Sequence, residues 1–407
     1  MRRVVVTGMG IISSIGSNLE EFWESLKSGR SGIDWIDTFD VSEYGSKVAG
    51  RVKNFDPTSY MEKREAKRTA RFVQMAIASA SEAYNDSGLE EELFDSEMAG
   101  VIYGVGLGGM DVIEDQHLIL MDKGPSRITP FLIPMTIANM APGLLAIRFG
   151  FKGTNFTIST ACASGTNAIG EATRLIRSGV LDVAMTGGTE ATITPLALAG
   201  FSNMTALSRG TPESASRPFD SKRDGFVMAE GSATLIIEEY ERALRRGARI
   251  YGEIVGYGST DDAFHITSPE ESGDGAYRAM KMALKDACVD PSEVDYINAH
   301  GTSTPLNDVI ETRAIKRLYG IRESLNISST KSMAGHALGA AGAIESVATF
   351  LSIRNSFVPP TINYSNPDPE CDLNYTPNFG IEKAINFAMK NSFGFGGHNA
   401  SLLFKRL

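Results

Sequence analysis

Apolar positions change their spacing many times along this chain, and each change marks an element. Phe156, Thr157 and Ile158 make a short β-prone run. Immediately after it the apolar residues fall at Ala168, Ile169, Ala172, Leu175 and Ile176, the stripe of one helix face, and Gly179 predicts the stop. Short runs and helical stripes alternate on both sides of this unit. Residues 3–8, 100–103, 180–185 and 233–237 predict strands, the first ending in a glycine turn at Gly8 and the third running into Gly187 and Gly188. Residues 18–28, 72–87 and 238–247 predict helices, the last of them charged.

The second half repeats the plan of the first. Residues 249–258 predict a strand with a glycine end, 276–288 an amphipathic helix and 294–299 a further strand. The sharpest echo sets ISTACASGTNAIG (158–170) against ISSTKSMAGHALG (327–339), with Ile, Ser, Ala and Gly at matching positions. Cys162 then falls opposite Lys331, and Asn167 opposite His336. The shared order of elements predicts an internal duplication: an α/β chain of two similar halves, residues 1–250 and 251–407, with the site where paired helix N-termini meet.

Composition narrows the function classes. With 42 % hydrophobic and 22 % charged residues, the 407-residue chain is one that buries a large core. No apolar run reaches the ~18 residues that span a bilayer, and the opening MRRVVVTG is expected to be a first strand, not a signal peptide. A net charge of −10 disfavours nucleic acid. Three cysteines without a CxxC pair argue against a disulfide framework or a structural zinc, so a reducing, cytoplasmic setting is expected. Against the acidic background, residues 61–71 (MEKREAKRTAR) carry Lys63, Arg64, Lys67, Arg68 and Arg71 at near-helical spacing. That run is either a solvated face or a docking patch for an acidic partner. Gly104, Gly106, Gly108 and Gly109 lack the Lys-Ser/Thr ending of a phosphate loop, so close backbone packing is expected there. The apolar segment 129–140 (TPFLIPMTIANM) is expected to line a hydrophobic cavity.

Candidate chemistry gathers at four turns. Cys162 sits where strand becomes helix among small neighbours, a setting in which helix N–H groups favour thiolate. His300 follows a strand in HGTSTP, with the hydroxyls of Thr302 and Thr304 beside it, and Lys331 and His336 share KSMAGH. Glu345, fourteen residues after Lys331, is placed to return as its ion-pair partner, and the glycines of NSFGFGG (391–397) let backbone amides approach an oxyanion. A nucleophilic thiol, two histidines and a lysine suit carbon–carbon bond formation on thioesters, whereas a peptidase needs one histidine and an orienting Asn or Asp.

TACASG, DYINAHGTSTP, STKSMAGHALGAAGAIES and NSFGFGG, in that order, resemble the β-ketoacyl-acyl-carrier-protein synthases, the elongating condensing enzymes of fatty acid synthesis, over essentially the whole length. The type II members are the most similar. The resemblance implies a thiolase-like five-layered α-β-α-β-α sandwich of two pseudo-duplicated halves, usually a homodimer, and an acyltransferase that needs no cofactor because acyl carrier protein brings the substrates. It implies Cys162 as acyl acceptor, His300 and His336 at decarboxylation and the enolate, and Lys331 with Glu345 as the supporting ion pair. The amides of Cys162 and Phe395 would form the oxyanion hole, with the Phe395 ring as gate. Thr302 and Thr304 would hold the phosphopantetheine arm, and Leu107, Phe131, Met135 and Phe201 would line the acyl pocket. Arg64, Lys67 and Arg68 gain an acidic client in the carrier protein. Relatives of this type can hold a monovalent cation near the positions of Asn298, Glu345, Asn391 and Ser392. His398 stands where well-known relatives often carry Thr. A non-catalytic partner subunit would lack the nucleophile, initiating synthases pair Cys with His and Asn, and degradative thiolases need a second cysteine in the late glycine turn.

Overall fold

The computed structural model, which describes residues 2–90 and 93–407, places ten strands in one continuous sheet. In chain order they are β1 (Val4–Ser13), β2 (Ala99–Gly104), β3 (Asn155–Ile158), β4 (Val183–Glu190) and β5 (Gly231–Glu239), then β6 (Gly252–Asp261), β7 (Tyr296–Asn298), β8 (Asn326–Ser328), β9 (Phe387–Gly394) and β10 (His398–Lys405). Across the sheet they run β8-β7-β9-β10-β6-β1-β5-β4-β2-β3. Read outward from the centre, each half has the order first, fifth, fourth, second, third. The first two pairings in each half are antiparallel and the outer two parallel. The halves join through an antiparallel contact of β1 with β6, Val5 opposite Glu253. The duplication expected from the two thirteen-residue segments is therefore present in the topology.

Helices complete five layers. α1 (Arg71–Ser87) covers β1 and β5 on one outer face, and α3 (Asp274–Ala287) covers β6 and β10 on the other, with α4 (Pro305–Tyr319) against α3. Between the half-sheets lie α2 (Ser164–Arg177) and α5 (Ala341–Asn355), each touching strands of both halves. Every residue of α5 from Ala341 to Ile353 is buried, as expected of a helix walled on all sides.

β1 runs five residues past the glycine at which the sequence predicts its end. Gly8 and Gly10 lie inside the strand because the α1 backbone crosses directly over it. A Cβ at Gly8 would stand 2.2 Å from the Ala83 carbonyl oxygen, and one at Gly10 2.0 Å from that of Ser79. Gly256 and Gly258 of β6 meet Ala283 and Ala279 of α3 in the same way, at 2.1 and 2.0 Å. β5 likewise extends to Glu239, which shortens the charged helix to Tyr240–Arg245. The basic run 61–71 is not one helix: Lys63–Ala66 makes a single turn, and α1 starts afresh at Arg71. Arg71 turns inward to donate from Nε and Nη2 to the buried Glu230 carboxylate, both at 2.7 Å, leaving Arg64, Lys67 and Arg68 exposed.

Candidate active site

Four turns at the ends of β3, β7, β8 and β9 converge between the halves. After β3 the chain bends sharply, with Ala161 in the left-handed region at φ +49°, and Cys162 follows two residues before α2. Local hydrogen bonds hold that elbow. Thr160 N–H donates to Ser164 Oγ (2.9 Å), Ser164 Oγ donates to the Ala161 carbonyl (2.6 Å), and Asn167 Nδ2 donates to Thr160 Oγ1 (2.8 Å). Tyr257, from β6 of the other half, donates its hydroxyl to Asn167 Oδ1 at 2.7 Å. The strained residue is thus braced from both sides.

His336 Nε2 stands 3.0 Å from Cys162 Sγ. The ring of His300 meets that of His336 edge to face, centroids 5.4 Å apart, and the thiol with one nitrogen of each histidine lies within a 4.8 Å group. Lys331, opposite Cys162 in the duplicated pattern, donates to the His300 carbonyl (2.6 Å) and faces His300 Nδ1 at 3.3 Å. An ammonium has no lone pair, so His300 Nδ1 accepts and its proton resides on Nε2. Lys331 also pairs with Glu345 Oε1, the partner expected from spacing. The backbone N–H groups of His300 and Gly301 both donate to Glu311 on α4 (2.9 and 2.8 Å).

Two further buried ionisable side chains escaped the sequence reading. Lys390 of β9 is fully buried and pairs with Glu345 Oε2 at 2.7 Å, so one carboxylate holds two ammonium groups. Lys390 also donates to Ser392 Oγ (2.9 Å) and to the Asn391 carbonyl. Of the four positions expected near a monovalent cation, Glu345, Ser392 and the Asn391 carbonyl meet this ammonium, and Asn298 is the sheet neighbour of Lys390 and donates to the Glu345 carbonyl. Glu190 of β4 accepts from the amides of Gly106 (2.9 Å), Leu107 (3.1 Å), Gly108 (3.3 Å) and Gly339 (3.1 Å). The glycine-rich segment after β2 is an anion cradle filled by the chain's own carboxylate. Both side chains sit on strands covered on both faces, where no alternation of polar and apolar residues marks them.

A cavity of about 650 Å³ opens onto Cys162, His300 and His336. Leu107 and Phe201, two of the expected pocket residues, line it together with Thr302, Thr304 and Phe395, and the hydroxyls of Thr302 and Thr304 lie 2.9 Å apart. Phe131 and Met135 do not. Phe131 lies under the Arg68 guanidinium (4.4 Å to the ring centroid), and Met135 packs on the core beneath β2 and α1. Segment 129–140 runs outside the cavity, with Ile133 and Ile137 exposed. Phe226, missed in sequence, meets the His336 ring edge to face at 5.3 Å and lines the cavity. Gly394 lies against the elbow, where a Cβ would come within 3.0 Å of the Cys162 amide nitrogen. His398 begins β10 outside the cavity, its Nδ1 3.6 Å from Asp261 Oδ2.

Burial dominates the electrostatics. It holds both histidines well below the usual imidazole range, helped by the Lys331 charge, so both are neutral near pH 7. It pushes the Cys162 thiol up to about 12 against the pull of Lys331, opposing the thiolate expected from the helix terminus. A thiol whose titration is moved up has too little thiolate throughout pH 7–10, and the fraction rises about tenfold per pH unit across that range. Iodoacetamide labelling of Cys162, followed by peptide mass, is therefore expected to keep accelerating past pH 9. A plateau between pH 8 and 9 would contradict this.

The comparisons with known proteins cover the whole chain. Residues 1–243 match the beta-ketoacyl synthase N-terminal domain, and residues 251–365 the C-terminal domain. A Synechocystis sp. 3-oxoacyl-[acyl-carrier-protein] synthase 2 is 54 % identical over 408 residues, spanning 100 % of this chain and 98 % of that one. A Staphylococcus aureus protein of the same name is 50 % identical over 407 residues with the same coverage. Among solved structures, a Burkholderia phymatum beta-ketoacyl synthase superposes with TM-score 0.93 at 35 % identity, each chain fully covered. A ketosynthase in complex with its type II PKS acyl-carrier protein gives TM-score 0.92 at 37 % identity, covering 100 % of this chain and 99 % of that one. The chain belongs to the beta-ketoacyl synthase family of condensing enzymes.

Proposed function

We propose that this chain elongates acyl groups by two carbons, as a type II 3-oxoacyl-[acyl-carrier-protein] synthase. The observation that carries the reading is the 3.0 Å contact of His336 Nε2 with Cys162 Sγ beside a second neutral histidine, at the wall of one cavity. In the first half-reaction Cys162 Sγ attacks the thioester carbonyl of acyl carrier protein. Its proton passes to His336 Nε2 and on to the departing thiol of the pantetheine arm. In the second, malonyl thioester loses CO2, and the electron pair of the broken C–C bond becomes an enolate. His300 donates from Nε2–H to the enolate oxygen, with His336 beside it. The enolate carbon attacks the acyl carbonyl, the C–S bond to Cys162 breaks, and the thiolate takes up one proton. No electrons leave the substrates, so the chemistry calls for no redox cofactor.

The rest of the assignment follows the lining of the cavity. Leu107, Phe201 and Phe226 supply an apolar wall for the acyl chain, Thr302 and Thr304 hydroxyls suit the pantetheine arm, and the Phe395 ring on the cavity wall suits a gate. Exposed Arg64, Lys67 and Arg68 suit an acidic carrier protein, and a structural neighbour was solved with its acyl-carrier protein bound. A homodimer would cover the outer edge of β3 and the exposed Leu118, Met121 and Ile133. Among the described residues no helix is long and apolar enough to cross a membrane, and we assign the chain to the cytoplasm.

Mixing the protein with acyl- and malonyl-acyl carrier protein tests the proposal. The expected result is 3-oxoacyl carrier protein and CO2 in equal amounts; acylation of Cys162 without elongation, across a panel of chain lengths, would overturn it. Reversing Arg64, Lys67 and Arg68 to Glu is expected to raise KM for the carrier protein about tenfold with kcat held.

A further inference from the structure

Lys390 is an unusual group to bury, and its surroundings are specific. An ammonium has three N–H donors. Here it donates to a hydroxyl (Ser392 Oγ, 2.9 Å) and to the Asn391 carbonyl, and it forms an ion pair with a carboxylate oxygen, Glu345 Oε2, 2.7 Å away, which has no hydrogen-bond partner among the described residues. A fourth oxygen belongs to the same cluster. Asn298 donates from Nδ2 to the Glu345 carbonyl at 3.1 Å, while its Oδ1 is buried with no hydrogen-bond partner among the described residues. Carboxylate, carbonyl, hydroxyl and amide oxygens are the donor set of a hard cation, not of a lysine chosen for packing.

We infer that the Lys390 ammonium is a tethered monovalent cation, standing where a diffusible sodium or potassium ion would otherwise be held by Asn298, Glu345, Asn391 and Ser392. The ammonium occupies the space between these oxygens. A second positive charge would lie against Lys390 with no carboxylate oxygen left, because Glu345 Oε1 is committed to Lys331. Lys390 is a positioning residue: it reaches the chemistry through Glu345, then Lys331, which sets the His300 proton. The inference deepens the proposed function and rests on that reading for its catalytic consequence, though not for the site itself.

Two measurements need no activity. Wild-type melting temperature is expected to be equal in sodium, potassium and choline chloride at matched ionic strength, and crystals soaked in thallium(I) should show no anomalous peak at the site. Lys390→Ser opens the space; its melting temperature should rise with sodium or potassium but not with choline, and thallium should enter. Lys390→Met removes the charge but fills the space, and it should respond to none of the salts. If the proposed condensation holds, Lys390→Ser should also regain at least about fivefold in rate when choline is exchanged for potassium, while wild type stays flat. Thallium at this site in wild type, or a Lys390→Ser melting temperature indifferent to the cation, overturns the inference. So does a Lys390→Ser chain that folds in no salt while Lys390→Met folds.

Discussion

Cys162→Ala protein mixed with a medium-chain acyl carrier protein is expected to show no acyl mass gain in intact-protein mass spectrometry, whereas wild type gains one acyl group. Condensation should fall by at least about 10³-fold, the scale of losing a covalent nucleophile. Neither remaining cysteine offers a bypass. Cys288 is exposed just beyond the end of α3, and Cys371 is buried in the core of the second half. Because His300, His336 and Lys331 stay in place, the variant should still decarboxylate malonyl carrier protein. Acyl mass on the Ala variant, or loss of both activities from a folded variant, would contradict this division of labour.

Lys331→Met carries the second largest effect, and it is an effect on stability and chemistry together. Both Lys331 and Glu345 are almost completely buried, and Met leaves Glu345 Oε1 without its partner. Breaking a buried ion pair from one side costs about 3–5 kcal/mol, part of which Lys390 offsets through Glu345 Oε2. The same substitution removes the ammonium from His300 Nδ1, so the tautomer that donates from Nε2 is no longer imposed. Decarboxylation is expected to drop about 10²–10³-fold, with acylation of Cys162 less affected because His336 keeps its contact with the thiol. Urea midpoints together with separate acylation and decarboxylation assays check both parts; equal losses in the two half-reactions would argue that Met merely damages the fold.

What could be read in advance follows from how residues face their surroundings. Cys162, His300, Lys331 and His336 lie at turns where period-2 runs give way to helical stripes, and the switch in period exposes such positions. The duplicated halves were legible because ISTACASG and ISSTKSMAGH keep one order of elements. Glu190 and Lys390 were not, since each lies on a strand buried on both faces, where no alternation separates a buried ionisable group from its neighbours. Gly8 and Gly258 look like turns, yet their role is a helix crossing that involves residues some 20–75 positions away, which no local window contains. Phe131 and Met135 have the composition of a pocket wall, but which apolar surface meets a cavity and which meets another helix is decided by packing alone. Arg71 completes the spacing of a basic stripe, and its capture by Glu230 depends on a residue 159 positions on.

The matched strand order of the two halves has a consequence for how such chemistry arises. Two identical copies related by a twofold axis between β1 and β6 would place the same residue at both elbows, two thiols or two lysines. Neither pair performs acyl capture and charge support at once. Joining the copies in one chain frees each elbow to vary alone, so that Cys162 and Lys331 occupy equivalent places with opposite duties. The Tyr257–Asn167 bond then ties each specialised half to the other. Division of labour here requires broken symmetry, and a single covalent chain is what lets the symmetry break.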